Sequence, residues 1–170
     1  MISCRRATNA DVDLFRSIRL RALQDSPGAF GSTYEAAIRR DHASWRDQIL
    51  STSDGIDRNT QFAFAADQCV GLAALYRDQD TASGEIVQMW VDPDQRGSPA
   101  ASILLGQLRV WAAEVGIHHL VLSVTSINGR AIKFYEKQGF RSTGECLWTD
   151  PNRDLQGIRM TLTLASLRDE

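Results

Sequence analysis

The chain has 170 residues, 43% hydrophobic and 24% charged, which suits one globular domain with a core of its own and excludes a disordered or fibrous chain. With 19 basic and 21 acidic residues the net charge is −2, so no global field draws nucleic acid, and the pairs Arg5–Arg6 and Arg39–Arg40 are too short to make a basic patch. No run approaches the roughly 18 apolar residues of a membrane span, and Met1-Ile-Ser-Cys-Arg-Arg6 lacks an apolar signal core, so residues 1–170 read as one cytoplasmic domain without a membrane partner.

Residues 2–7 form a plausible first strand. Thr8 or Asn9 then caps a helix whose Leu14, Phe15, Ile18, Ala22 and Leu23 share a face, and Asp25-Ser-Pro-Gly28 ends it. Residues 30–50 read as two helical pieces, the second capped by Asp41, and the polar residues 51–59 as a mobile loop. Strands over 62–65, 70–76 and 86–91, the first two joined at Asp67-Gln68, make an antiparallel meander.

From Pro99 to Gly116, Ile103, Leu104, Leu108, Trp111 and Ala112 recur at helical spacing, and residues 119–124 follow as a strand, which predicts a right-handed βαβ crossover. A second helix over 130–138 closes on Gly139, and strands over 140–147 and 158–164 end the pattern. Cys4, Cys69 and Cys146 are odd in number and isolated in strand-like surroundings, so they read as small core residues of a reducing compartment rather than as a disulfide or zinc framework. His42, His118 and His119 show no ligand spacing, and no metal site is expected.

The turn Val91-Asp-Pro-Asp-Gln-Arg-Gly97, followed by a helix, has a physical use. A helix N-terminus carries unpaired N–H groups and about half a positive charge, so it can hold a phosphate on backbone amides alone. Gly97 lets the backbone approach closely. An ordinary strand-to-helix turn with Pro99 in the first helical turn accounts for the same residues. In Asn128-Gly-Arg-Ala-Ile-Lys-Phe-Tyr135, Asn128 is an N-cap, Ala131 and Phe134 share the buried face, and Tyr135 lies one step around.

Together these segments, with the opening Arg5-Arg-Ala-Thr-Asn-Ala-Asp11 and the run Asn128-x-x-Ala-x-x-Phe-Tyr-Glu-x-x-Gly-Phe140, resemble the GCN5-related N-acetyltransferase (GNAT) superfamily over most of the chain. The resemblance implies an α/β domain with a mixed, mostly antiparallel sheet, helices on both faces, and a splayed parallel strand pair that holds acetyl-CoA. It implies that the backbone of Met89, Trp90 and Val91 pairs with the pantetheine arm. Arg96 and the amides around Gly97, Ser98, Ala100, Ala101 and Ser102 would hold the pyrophosphate. Asn128 would touch the pantetheine region, and Tyr135 would protonate the leaving sulfur. Glu85, before the cofactor turn, matches the base of several members; a solvated strand-start glutamate is the competing reading, and Gln88 is a second residue that could face the cleft.

Where the family's turn has its first expected glycine this sequence has Pro99, so one amide donor is missing and the loop is stiffer. Arg130, Lys133 and Lys137 read as solvated, with contact to the 3′-phosphate of CoA as the alternative. The implied activity is direct acetyl transfer from acetyl-CoA to a primary amine of a small molecule or peptide. A non-catalytic acyl-CoA sensor of the same fold is the alternative, and a homodimer stays open. A dinucleotide fold would need an early Gly-x-Gly-x-x-Gly turn, which is absent.

Overall fold

A computed structural model describes residues 1–150 and 154–165. Strand β1 (Ile2–Arg6) alternates between half-buried and exposed residues, as an edge strand does, whereas β2 (Arg58–Ala65) and β3 (Gln68–Arg77) are buried almost without interruption. With β4 (Ser83–Val91) they form the predicted antiparallel meander. The β2–β3 turn is Ala66-Asp67, one residue earlier than expected, with Ala66 at φ 51°. The other strands are β5 (His119–Thr125), β6 (Arg141–Asp150) and β7 (Leu155–Thr163). The seven-stranded sheet runs β1-β2-β3-β4-β5-β7-β6, and β4–β5 is its parallel pair.

Side chains that alternate across the sheet feed two separate cores. Phe62, Leu72 and Trp90 point to one face, where they meet Phe15, Ile18 and Leu23 of helix α1 (Val12–Asp25) and Trp45 and Ile49 of α3 (His42–Ser53). Ala63, Ala73, Leu75 and Ile86 point to the other, against Leu104, Leu105 and Leu108 of α4 (Ala100–Glu114). The short α2 (Tyr34–Ile38) leads into α3, and α5 (Gly129–Lys137) comes after β5. Helix α4 links the two parallel strands.

Three local expectations change. Helix α1 starts after Asp11, not Thr8 or Asn9, and Asp11 does not cap it: its carboxylate turns back to accept from both Nη atoms of Arg5, at 2.7 and 2.8 Å, and from Thr8 N at 2.7 Å, tying β1 to the helix. Residues 51–53 are the last turn of α3 rather than loop, and the hydroxyls of Ser51, Thr52 and Ser53 satisfy themselves on helix carbonyls three residues back. Arg6 then fastens the link from α3 to β2, donating to the carbonyls of Thr52, Gly55 and Arg58, and Asn59 is buried in β2. Of the cysteines expected in the core, Cys69 is buried and Cys4 half-buried, but Cys146 is exposed on β6.

Candidate active site

The site begins where the parallel strands part. They pair over Ser83–Ile86 of β4 and His119–Leu122 of β5; beyond this β4 runs on to Val91 beside β3 and β5 to Thr125 beside β7, no longer paired with each other. A β-bulge explains the parting. Trp90 pairs with Leu72 and Val87 with Ala74, so Gln88 and Met89 together oppose Ala73, and Gln88 takes φ 58°. A bulge bends and twists its strand, here away from β5. The β4 edge after Val87 is left open inside the sheet, and the Gln88 Oε1 atom is buried with no hydrogen-bond partner among the described residues.

A cavity of about 570 Å³ fills the opening. Met89, Trp90 and Val91 line one wall, Asn128 and Tyr135 another, and Arg96, Gly97, Ser98, Ala101 and Ser102 one end. Ala100 is fully buried beneath this end and does not line it. Phe134, expected on the buried face of the helix, and the cations Arg130, Lys133 and Lys137, read as solvated with a phosphate contact as the alternative, all line it. Ser26, Ala29 and Phe30, from the turn after α1 and within the loop over residues 25–34 that the sequence offers as a chooser of the acceptor, line it as well.

In the turn after β4, Gly97 has φ 95°, a conformation that strains any side chain. Pro99 is the N-cap of α4, and its carbonyl accepts from Ile103 N at 2.9 Å. Two amides of the turn are used internally: Ser98 N donates to Gln95 O at 3.1 Å and Ala100 N to the Ser98 hydroxyl at 3.3 Å. The amides of Gly97, Ala101 and Ser102 have no acceptor among the described residues. Arg96 is tied down. Its Nε donates to Val91 O at 3.1 Å and its Nη2 pairs with the Asp25 carboxylate, which also accepts from Trp90 Nε1 at 2.8 Å. The end of α1 is thereby fastened to the turn.

Helix α5 starts at Asn128, whose side chain accepts from Ala131 N at 3.2 Å, and it turns away past Gly139 at φ 91°. Its buried residue is Tyr135; Ala131 and Phe134, expected on the buried face, are half-buried because they border the cavity. The Tyr135 ring meets Phe134 and Phe140 edge-on, at centroid distances of 5.2 and 5.6 Å. Its hydroxyl has no hydrogen-bond partner among the described residues, and burial pushes the phenol well above its ordinary value, so it stays protonated.

Glu85 does not line the cavity. It is exposed on β4, three residues before the bulge and in register with Tyr76 of β3. The sequence reading does not single out Arg19, on helix α1, which packs over the face of the sheet that carries Phe62, Leu72 and Trp90. Arg19 is 6% exposed, with its guanidinium 4.4 Å from the Phe30 ring centroid. A signal exists: Arg19 stands four residues from both Phe15 and Leu23, a cation in an apolar stripe. Among the described residues no group of His, Cys, Asp or Glu is placed to hold a metal, and no helix is long and apolar enough to cross a membrane.

Comparison with known proteins agrees with this geometry. The acetyltransferase (GNAT) family matches residues 21–140. An IAA acetyltransferase of Azospirillum brasilense is 32% identical over 75 residues, covering 44% of this chain and 49% of the relative; the chain spans about half the length of such curated relatives. A GNAT-family acetyltransferase of Streptococcus pneumoniae superposes with a TM-score of 0.81 at 19% identity, covering 97% of this chain and all of the other. An N-acetyltransferase of Thermoplasma acidophilum, solved in complex with coenzyme A, gives 0.78 at 18% identity, with 96% and 99% covered. Family match, sheet order and parted strands lead to one conclusion: the chain belongs to the acetyltransferase (GNAT) family, whose acyl donor is acetyl-CoA.

Proposed function

We propose that the protein transfers an acetyl group from acetyl-CoA directly to a primary amine of a small molecule or peptide. The observation that carries this reading is the open β4 edge after Val87, facing a cavity lined by Tyr135. An unpaired strand edge offers alternating N–H and C=O groups to an extended amide chain, and the pantetheine arm has that character. The unpaired amides of Gly97, Ala101 and Ser102, at the start of a 15-residue helix, suit the pyrophosphate. Arg130, Lys133 and Lys137 line the same cavity and suit the 3′-phosphate.

Acetyl-CoA supplies an activated thioester; the protein supplies position and protons. Asn128 fixes the start of α5 and borders the pantetheine path. Tyr135, neutral and clamped by two rings, donates its proton to the departing sulfur. Glu85, acting across water from its exposed position, takes the proton from the acceptor amine. Burial pushes the Cys4 and Cys69 thiols up to about 11, and no cysteine lines the cavity, so transfer without an acetyl-cysteine stage fits best.

The sensor reading draws on Glu85 standing outside the cavity lining. One experiment separates the two. Acetyl-CoA raises the melting temperature in proportion to its concentration over its Kd in either case, because it binds the folded chain alone. An enzyme then liberates CoA on addition of an amine panel, and a sensor does not. No thermal shift at millimolar acetyl-CoA overturns both.

A further inference from the structure

Three guanidinium groups gather on the face of the sheet that carries Glu85, and none of them has an ion-pair partner among the described residues. Arg19 is 6% exposed, and among the described residues it makes no ion pair and its buried Nη1 atom has no hydrogen-bond partner. A guanidinium buried in this way is costly unless an anion meets it. Its neighbours add charge of the same sign. Arg58 lies over the Tyr76 ring at 4.5 Å, and Arg40 lies over the Trp45 ring at 3.9 Å with its Nε on the Ser44 hydroxyl. Neither has a carboxylate partner among the described residues.

Tyr76 is the centre of this group. It carries Arg58 on its ring, accepts from Gln48 Nε2 at 3.3 Å, and stands in register with Glu85. Burial pulls the Arg19 guanidinium down to about 10, with Tyr76 opposing that shift and Arg40 adding to it, so all three belong to one electrostatic neighbourhood and Arg19 stays cationic at neutral pH. On its other side Arg19 stacks against Phe30, which lines the cavity wall. The phosphates of CoA do not account for this charge. The amides and lysines suited to them, around Gly97 and Lys133, line the cavity, and Arg19, Arg40 and Arg58 do not.

We propose that the acceptor amine carries a carboxylate, held by Arg19 with Arg40 beside it. This rests on the acetyltransferase reading and names its substrate class. A carboxylate matches the planar fork of a guanidinium and supplies the missing counter-charge. Arg19 then selects the acceptor while Glu85 serves its amine. A polyamine or another cationic acceptor would meet repulsion from three guanidinium groups.

The test pairs amino acids with their carboxamides: glycine, L-glutamate and 4-aminobutyrate against the corresponding amides, with spermidine as the cationic control and 2-aminoethylphosphonate as the other anion. Kd is measured by calorimetry on native protein saturated with CoA, and kcat/KM by CoA release from acetyl-CoA. At least one acid is expected to exceed its amide by about 10- to 100-fold in both measurements. Arg19→Met should bring that ratio close to one through KM, with a melting temperature no lower than that of the native chain because a costly buried charge is removed, and Arg19→Lys should restore part of the ratio. Equal values for every acid and its amide, or preference for spermidine or the phosphonate, overturns the proposal, as does a preference that survives Arg19→Met. Acids that bind selectively but release no CoA would leave the carboxylate site standing and sink the acetyltransferase reading instead.

Discussion

Tyr135 meets Phe140 edge-on, the ring centroids 5.6 Å apart and the planes inclined at 69°, so its ring is held by packing while its hydroxyl takes no protein partner among the described residues. Ring and hydroxyl are therefore separable. Tyr135→Phe should lower kcat by about 10²- to 10⁴-fold with acetyl-CoA affinity nearly intact, and should move stability by no more than about 0.5 kcal/mol, because no hydrogen-bond partner is orphaned. Stopped-flow CoA release and calorimetry check this. Since burial raises the Tyr135 phenol, the wild-type rate should show no falling limb from its ionisation up to about pH 10. A variant of full activity would leave Tyr135 a packing residue.

For Glu85 the expected outcome depends on pH. Glu85→Gln should depress the rate most near neutral pH and recover partly at alkaline pH, where more of the acceptor amine is already neutral. A loss of equal size at every pH, read from kcat/KM profiles with one acceptor, would assign Glu85 to acceptor binding rather than proton removal.

Pro99 caps α4 through its carbonyl, and Ser98 and Ala100 spend their amides within the turn, so three free amides remain between Gly97 and Ser102. Pro99→Gly adds a donor beside them. Acetyl-CoA binding should tighten several-fold, and added freedom of the unfolded chain should cost about 0.4–1 kcal/mol of stability. Calorimetry and urea unfolding read the two effects separately; unchanged affinity would mean that the new amide does not face the phosphates.

Asp11 links stability to pH. Hydrogen bonds from Arg5, ahead of those from Thr8, hold its carboxyl at about 2 against an ordinary 3.8. A depressed carboxyl stabilises the fold above the unfolded value, and that stability drains away as pH falls from about 4 towards 2. Arg5 is 45% exposed, so solvent screening discounts the contribution to about 1–2 kcal/mol. Asp11→Asn should lose this amount at pH 7 and flatten the stability curve below pH 4, measured by urea unfolding across that range.

The parts of the molecule set by local chemistry were legible in the sequence. Apolar spacing from Leu104 to Ala112 marked α4, Asp41 marked the start of α3, and Gly139 marked the end of α5. The parted strands came from resemblance, because no periodicity shows a bulge at Gln88. What failed turns on side-chain hydrogen bonds that apolar periodicity does not register. Asp11 looks like one more polar residue before a helix until Arg5 is brought beside it, and residues 51–53 look like loop until their hydroxyls find helix carbonyls. Tyr135 and its neighbours exchange burial because a cavity, invisible to helical periodicity, lies along that side of α5. Arg19 escapes notice for the opposite reason: it obeys the apolar period that cations usually break.

An exposed strand edge is ordinarily a hazard, since it templates pairing with any other extended chain and so invites aggregation. The β4 edge after Val87 escapes by its position, between β5 on one side and a cavity walled by α5 and the turn after α1. A second copy's strand would have to enter flanked by side chains on both faces, against the residues that line the cavity. A slender amide arm without side chains meets no such bar. The same gap that exposes backbone hydrogen-bonding groups thus filters by cross-section, which lets the protein keep an unsatisfied edge at high concentration without polymerising through it.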